Sequence, residues 1–219
     1  MDLAIIAAKQ VLQLLLMILA GAVCCKAGVF KPQDKSILSN ILLYLVVPAM
    51  VIDSYLVEFD PETFRNLLSA FGLSILALAI GLAVAVLATC RVAKENRAIL
   101  RFACGFSNAA YMGFPLIKVL FGSEGLLYAS AFVTVFNIAL WTIGYGIVSG
   151  SASAKEIVHS IVTCPCILAV TLGLVLYLGR VPVPEVLAGP IGTIGSMNTP
   201  LSMIITGATI ASSDLKKLL

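Results

Sequence analysis

The sequence predicts an all-α integral membrane protein. Of its 219 residues, 60% are hydrophobic and only 11% are charged, and the mean hydropathy is +1.07. Ordinary soluble domains carry about 25% charged residues. Uncharged runs of about 20 residues, the length that a helix needs to cross the hydrocarbon core, recur along the chain. The bilayer is therefore the expected solvent, and the net charge of +3 gives no basis for a nucleic-acid surface.

Seven apolar segments are predicted, separated by short stretches that hold most of the charged and turn residues. They lie at 4–26, 36–57, 66–90, 98–121, 125–149, 157–179 and 187–211. The first is expected to remain as a membrane helix rather than act as a signal peptide, because Asp2 precedes it, Lys9 lies within it and no basic stretch comes before it. The connecting stretches leave no room for a soluble domain.

The basic residues alternate between the connecting stretches. Of the 14 Lys and Arg residues, ten follow segments one, three, five and seven, and four lie on the other side. Positively charged flanks are retained in the cytoplasm. The alternation therefore predicts a multi-pass protein of the cytoplasmic membrane, with the N-terminus outside and the C-terminus of this chain in the cytoplasm.

An internal repeat is predicted at a shift of 152 positions. Gly21 then coincides with Gly173 and Pro48 with Pro200, so that segments six and seven overlie segments one and two. Five crossings precede the second copy, which would give it the opposite orientation in the membrane. Inverted repeats of this kind are typical of transporters. Residues 1–150 are interpreted as a first five-helix repeat and 151–219 as the start of the second.

Segment four contains residues that a continuous lipid-facing helix disfavours, in the stretch 104–116. Pro115 removes a backbone donor, and Gly113 weakens a helix by about 1 kcal/mol relative to alanine. The helix is expected to break here, and non-helical backbone at this depth is tolerated only inside protein or beside a cavity. Asn108 would add an amide to such a site. The alternative is a proline kink with small residues that pack helices closely.

Three more residues are candidates for the same site. Pro48 and Pro200 occupy equivalent places in the repeat, and each could bend its helix or line a cavity. Asn198, with Thr199 and Ser202 nearby, would present polar groups to the cavity that Asn108 faces.

The only acidic residue inside an apolar segment is Asp53. Intramembrane carboxylates often mark ion or proton paths, so Asp53 is a candidate for ion coupling, although it could also anchor its helix at the interface. The 6 cysteines lack metal-ligand spacing, and no hydrolase, metalloprotease or metal-diphosphate motif is present. Neither an enzyme nor a cofactor is predicted.

The motifs of segments two, four and seven resemble those of one transporter family. The stretch 108–116 is similar to the N-x-G-F-x-G-x-P-L motif of the auxin efflux carrier family, with Ala110 and Tyr111 at positions where glycine and phenylalanine or tyrosine are commoner. The stretch 197–208 resembles the late N-T-P-L-S-x-x-x-x-G motif of the family, and 45–48 the early one. The short link at 149–155 resembles that of bacterial members.

The resemblance implies a secondary carrier of small organic anions or weak acids, such as carboxylates or auxin-like compounds. It also implies ten helices in two inverted five-helix repeats, with broken fourth and ninth helices around the substrate. On this interpretation the chain is truncated after seven helices and its second repeat is incomplete. The implied substrate-binding residues are Asn108, Tyr111, Gly113, Pro115, Pro48, Asn198 and Pro200.

A second hypothesis, favoured by the missing helices, is a non-transporting membrane scaffold or assembly subunit. The expected partners are an organic anion and the lipid bilayer, without nucleic acid. The sequence leaves the oligomeric state open, with a homodimer among the options.

Overall fold

The computed structural model describes residues 3–106, 113–149 and 153–212. All regular structure within these ranges is helical, which confirms the predicted all-α class. Two π-helical turns, Leu42–Val46 and Leu140–Gly144, and a 3₁₀ turn, Pro32–Asp34, join some of the helices. The α-helices are α1 (Leu3–Lys26), α2 (Lys35–Ile41), α3 (Val47–Tyr55), α4 (Pro61–Ala88), α5 (Lys94–Gly105), α6 (Phe114–Ala139), α7 (Tyr145–Ser149), α8 (Ala154–Val162), α9 (Pro165–Leu178), α10 (Glu185–Ser196) and α11 (Asn198–Ser212).

Four helical stretches of the described residues are long and apolar enough to cross a membrane. They are Ile5–Lys26, Lys35–Tyr55, Pro61–Ala88 and Phe114–Val148, and the pair Lys155–Val162 and Pro165–Leu178, bent by 56°, would form a fifth. The chain is therefore a multi-pass membrane protein. Segments four and seven are built from shorter helices, among them α5, α10 and α11, and none of these three is long enough to cross a membrane alone. The number of seven crossings therefore stays a prediction.

The longest helical stretch is divided at Gly122. A straight helix over 114–148 would extend about 50 Å, well beyond the roughly 30 Å of the hydrocarbon core. Gly122 has φ 64° and ψ −152°, a conformation that glycine adopts without strain and that ends the first piece of α6. The break falls in the connecting stretch predicted between segments four and five.

Helix α4 begins earlier than predicted because Asp60 caps it. One carboxylate oxygen of Asp60 accepts hydrogen bonds from the backbone N–H of Thr63 at 2.7 Å and from its hydroxyl at 2.8 Å, and Pro61 occupies the first turn. These bonds, the backbone one above all, lower the pKa of Asp60. Because the folded-state pKa is the lower one, the cap stabilises fully above the ordinary carboxyl pKa and loses strength as the pH falls through the folded value.

Helices α1 and α11 pack with their backbones in contact. A methyl group on Gly21 would lie 2.5 Å from the carbonyl oxygen of Ile204, and one on Gly207 would overlap the carbonyl oxygen of Ile18. Small residues at such positions let membrane helices approach closely. The two glycines therefore set the distance between the first and last described helices.

Helices α3 and α9 form the second close pair. Gly173 of α9 lies against the ring of Tyr55, where an added methyl group would stand 2.6 Å from a ring carbon. The Tyr55 hydroxyl oxygen lies 2.8 Å from Oγ of Ser130 on α6. Tyr55 of α3 thus contacts both α6 and α9 inside the main buried cluster. Val47, Met50 and Phe114 belong to the same cluster.

Candidate functional site

Segment four, in which a break of the helix is predicted, contains the end of α5 and the start of α6. Helix α5 ends at Gly105, and Phe106 is extended, with φ −121° and ψ 93°. Asn108 and Tyr111 lie outside the described residues. Gly113 precedes α6, and an added methyl group there would meet no described atom within 4 Å. Close packing of described helices therefore gives no reason for glycine at this position.

Pro115 lies in the first turn of α6 and is fully buried, as is its neighbour Phe114. Proline is tolerated there because the first N–H groups of a helix have no intrahelical partner. Pro115 thus lies at the start of α6 and fixes this end of the helix in the buried core.

Pro48 follows a π-helical turn in segment two. The turn spans Leu42–Val46, and the N–H of Val47 donates to the carbonyl of Leu42. Pro48, in the first turn of α3, has no N–H to donate to the preceding turn. The wider turn leaves room for the proline ring, and turns of this kind occur frequently at functional sites.

Asn198 is the most unusual polar residue of the described chain. It begins α11, directly after the turn at Met197 that separates α10 from α11, and Pro200 follows two positions later. Its side chain is 2% exposed, and neither Nδ2 nor Oδ1 finds a hydrogen-bond partner among the described residues. A buried polar group without a partner costs about 1–3 kcal/mol. Such a residue is expected where a ligand or a moving helix supplies the missing partner.

Helix α3, which has Pro48 in its first turn, crosses α10, the helix that precedes Asn198. An added methyl group on Gly195 would lie 2.7 Å from Cα of Met50, so the backbones of α10 and α3 touch. The π-helical turn before Pro48 contacts both α10 and α11. The structure therefore places α10 and α11, which meet next to Asn198, beside the turn that precedes Pro48, whereas the predicted site residue Pro200 is exposed.

Asp53 lies on α3, one turn beyond this crossing. It is half-buried, and a methyl group on Gly192 of α10 would stand 3.1 Å from Oδ1 of the carboxylate. The carboxylate thus faces the neighbouring helix rather than open surface. Its role in ion coupling stays a prediction.

A cavity of about 330 Å³ lies beside the π-helical turn and is named here the π-turn cavity. Three helix distortions meet around it: the turn Leu42–Val46, the turn Leu140–Gly144 and the bend between α8 and α9. They contribute Tyr44, Leu140 and Cys164, respectively, to the lining. Segment six was predicted as one helix, but Pro165 cannot continue α8 and the segment bends here.

The polar groups of the π-turn cavity retain hydrogen-bonding capacity. Nδ2 of Asn137 donates to the carbonyl of Val133 at 2.9 Å, which leaves its Oδ1 without a partner among described atoms. Ser160 also lines the cavity, and its hydroxyl bonds to no described residue. Sequence reasoning missed both residues. Asn137 could have been found, because an amide in the middle of an apolar segment is costly without a role.

The comparisons with known proteins decide the class of the molecule. The model of a family described as membrane transport protein matches residues 6–163. The chain belongs to this family. The match confirms the resemblance predicted from the motifs, and it makes the protein a transporter rather than an enzyme. Among the described residues, no group of three or more His, Cys, Asp and Glu side chains could hold a metal ion.

Two relatives are similar to this membrane transport protein along most of its length. One, an uncharacterized transporter of Methanothermobacter thermautotrophicus, is 25% identical over 207 residues, which cover 92% of this chain and 67% of the relative. The other, an uncharacterized transporter of Methanocaldococcus jannaschii, is 23% identical over 219 residues, covering 94% of this chain and 70% of the relative.

Proposed function

We propose that this membrane transport protein is a secondary carrier of small organic anions or weak acids, carboxylates above all, across the cytoplasmic membrane. The observation that carries the proposal is the buried amide of Asn198, which has no partner among the described residues and lies where α10 and α11 meet beside the turn before Pro48. A carboxylate that accepts a hydrogen bond from Nδ2 would satisfy the missing donor contact. A neutral hydroxyl on the same solute would satisfy Oδ1.

The helix dipole at Asn198 favours an anion over a cation. Asn198 begins α11, a helix of 15 residues, so the positive end of the helix dipole lies beside the amide. Broken helices of transporters present such ends to anionic substrates near the middle of the membrane. Asp53, which lies near Gly192, is the nearby carboxylate through which a proton could be coupled to the solute.

Alternating access is the proposed mechanism, and the helix pairs support it. A shift of 152 positions carries the end of α1 onto α9 and α3 onto α11, so the pair α1–α11 corresponds to the pair α9–α3. In each pair, one helix belongs to the first predicted repeat and the other to the second. Transporters whose two repeats rock about a shared site are built in this way. The predicted topology, with the N-terminus outside, and a homodimeric assembly belong to the same proposal.

Uptake into proteoliposomes tests the function. The protein, expressed from its complete reading frame, is reconstituted and supplied with labelled monocarboxylates, dicarboxylates and matched neutral amides under an imposed pH gradient. We expect saturable uptake of a carboxylate, and we expect Asn108→Ala to lower kcat/KM for uptake about tenfold or more, since a lost hydrogen bond to a charged group is worth about 1.5–3 kcal/mol.

The matched control is Asn96→Ala, because Asn96 is an exposed asparagine on α5. Its uptake should equal that of the unmodified protein. If folded protein takes up no carboxylate but takes up neutral amides, the anion proposal is wrong. If it takes up nothing and copurifies with a partner, the scaffold hypothesis replaces it.

A further inference from the structure

A second cavity, of about 410 Å³, lies at the other end of α3 and α9, and it is named here the Arg180 pocket. Its walls come from the end of α3 with the stretch before α4, and from the end of α9 with the stretch before α10. Phe59, Leu176 and Val181 make the lining largely apolar, while Arg180 and Glu58 are its charged residues. Asn198 does not line it, so this pocket is separate from the crossing described above.

Arg180 occupies a backbone position that normally belongs to glycine. Its φ is 50°, and it is the one non-glycine residue with positive φ in the described ranges. The N–H of Val181 donates to the carbonyl of Leu176 at 3.1 Å, and the N–H of Arg180 donates to that of Tyr177 at 3.2 Å. This is the left-handed ending of a helix, which glycine favours. An arginine at a strained position points to a function of its side chain.

The guanidinium group of Arg180 is held over an aromatic ring. Its Cζ lies 4.4 Å from the ring centroid of Phe59, and the rings of Phe59 and Tyr177 are 5.3 Å apart. The Tyr177 hydroxyl in turn lies 3.2 Å from the backbone oxygen of Asp60. Stacking leaves the edge of the guanidinium free, and its N–H groups bond to no other described residue. The cation is therefore held in place without a carboxylate partner among the described residues.

We propose that the Arg180 pocket binds a small monocarboxylate with an aromatic or aliphatic body. The planar guanidinium pairs with both oxygens of a carboxylate, and the apolar wall covers the rest of the molecule. The volume is within the range of small-molecule sites. Glu58 also lines the pocket and forms no ion pair within the described part of the chain, so its charge opposes the anion and limits the affinity.

Thermal unfolding of the purified protein in neutral detergent tests the pocket without transport. The probe is 3-phenylpropionate, and 3-phenylpropionamide is its neutral control. We expect the acid to raise the unfolding midpoint with saturation and the amide to leave it unchanged. Arg180→Gly should have a higher midpoint than the unmodified protein in the absence of ligand, because glycine fits the left-handed position, and it should lose the response to the acid.

Two control variants locate the effect. Arg65→Gln removes a positive charge from an exposed position on α4 and should respond to the acid like the unmodified protein. Asn96→Ala, at an exposed position on α5, should also keep the response, and uptake into proteoliposomes, measured separately, distinguishes failure of this proposal from failure of the carrier proposal. Glu58→Gln should lower the half-saturating concentration about two- to fivefold.

Several outcomes would overturn the assignment. They are an equal response to acid and amide, a full response in Arg180→Gly, a higher half-saturating concentration in Glu58→Gln, loss of the response in Arg65→Gln, and stabilisation by phosphatidylglycerol in place of the acid. The last would assign the pocket to lipid.

Discussion

Replacing Gly207 with alanine is expected to lower the free energy of unfolding by about 3 kcal/mol, the upper end of the usual cost of overpacking. The added methyl group would overlap the carbonyl oxygen of Ile18, which belongs to the backbone of α1 and cannot rotate away. Helix α1 would have to move off α11 along their shared length. In a thermal unfolding scan in detergent, this corresponds to a midpoint roughly 6–12 °C lower.

The matched control for this change is Gly81→Ala. Gly81 lies inside α4, where an added methyl group meets nothing within 4 Å, so alanine should preserve or raise the midpoint. Gly21→Ala, on the facing helix, should reproduce the loss seen with Gly207→Ala, because the methyl group would meet the backbone of Ile204. Equal midpoints for Gly207→Ala and Gly81→Ala would show that the glycine contact does not set the helix spacing.

Asn198→Leu is expected to change stability and transport in opposite directions. Leucine keeps the branching of asparagine at Cγ and removes two buried polar atoms that lack partners among the described residues, so the free energy of unfolding should rise by about 1–3 kcal/mol. If the amide binds the solute, the same change should lower kcat/KM for carboxylate uptake about a hundredfold, through the lost hydrogen bond and the apolar surface left in its place. Thermal unfolding and proteoliposome uptake measure the two effects.

Asn137→Leu serves as the comparison for stability. The Asn137 amide already donates to the carbonyl of Val133, so its replacement should bring a smaller gain in stability than Asn198→Leu. A less stable Asn198→Leu variant would mean that the amide has a structural partner. Unchanged uptake in a stable Asn198→Leu variant would remove Asn198 from the solute site.

Much of the helical architecture could be predicted from the apolar runs and from the charged and turn residues that separate them. The stretch around Gly122 separated segments four and five because glycine and charged residues interrupt the hydropathy there. The internal breaks were harder to predict. The bend at Pro165 and the π-helical turn before Pro48 lie inside continuous apolar sequence, where hydropathy stays high and only the geometry of neighbouring helices decides whether proline kinks or ends a helix.

The candidate site was predictable in part, for a similar reason. Asn198 could be identified from the sequence as a polar residue beside a proline, but its lack of a partner depends on the packing of α3, α10 and α11. In the sequence, Arg180 is only one of the four basic residues on the side of the membrane opposite the other ten. Its significance comes from a left-handed backbone and a stacked phenylalanine, and neither leaves a signal in one sequence.

The contact between Gly21 and Ile204 also has a consequence for biosynthesis. The two residues that touch are near opposite ends of the described chain, so α1 leaves the ribosome long before its partner exists. At about 5–20 residues per second, the delay is roughly 10–40 s. Throughout that time the small-residue face of α1 must be covered by lipid or by the insertion machinery. The contact that fixes the spacing of α1 and α11 thus forms only after α11 has been synthesised, and α1 waits in the membrane until then.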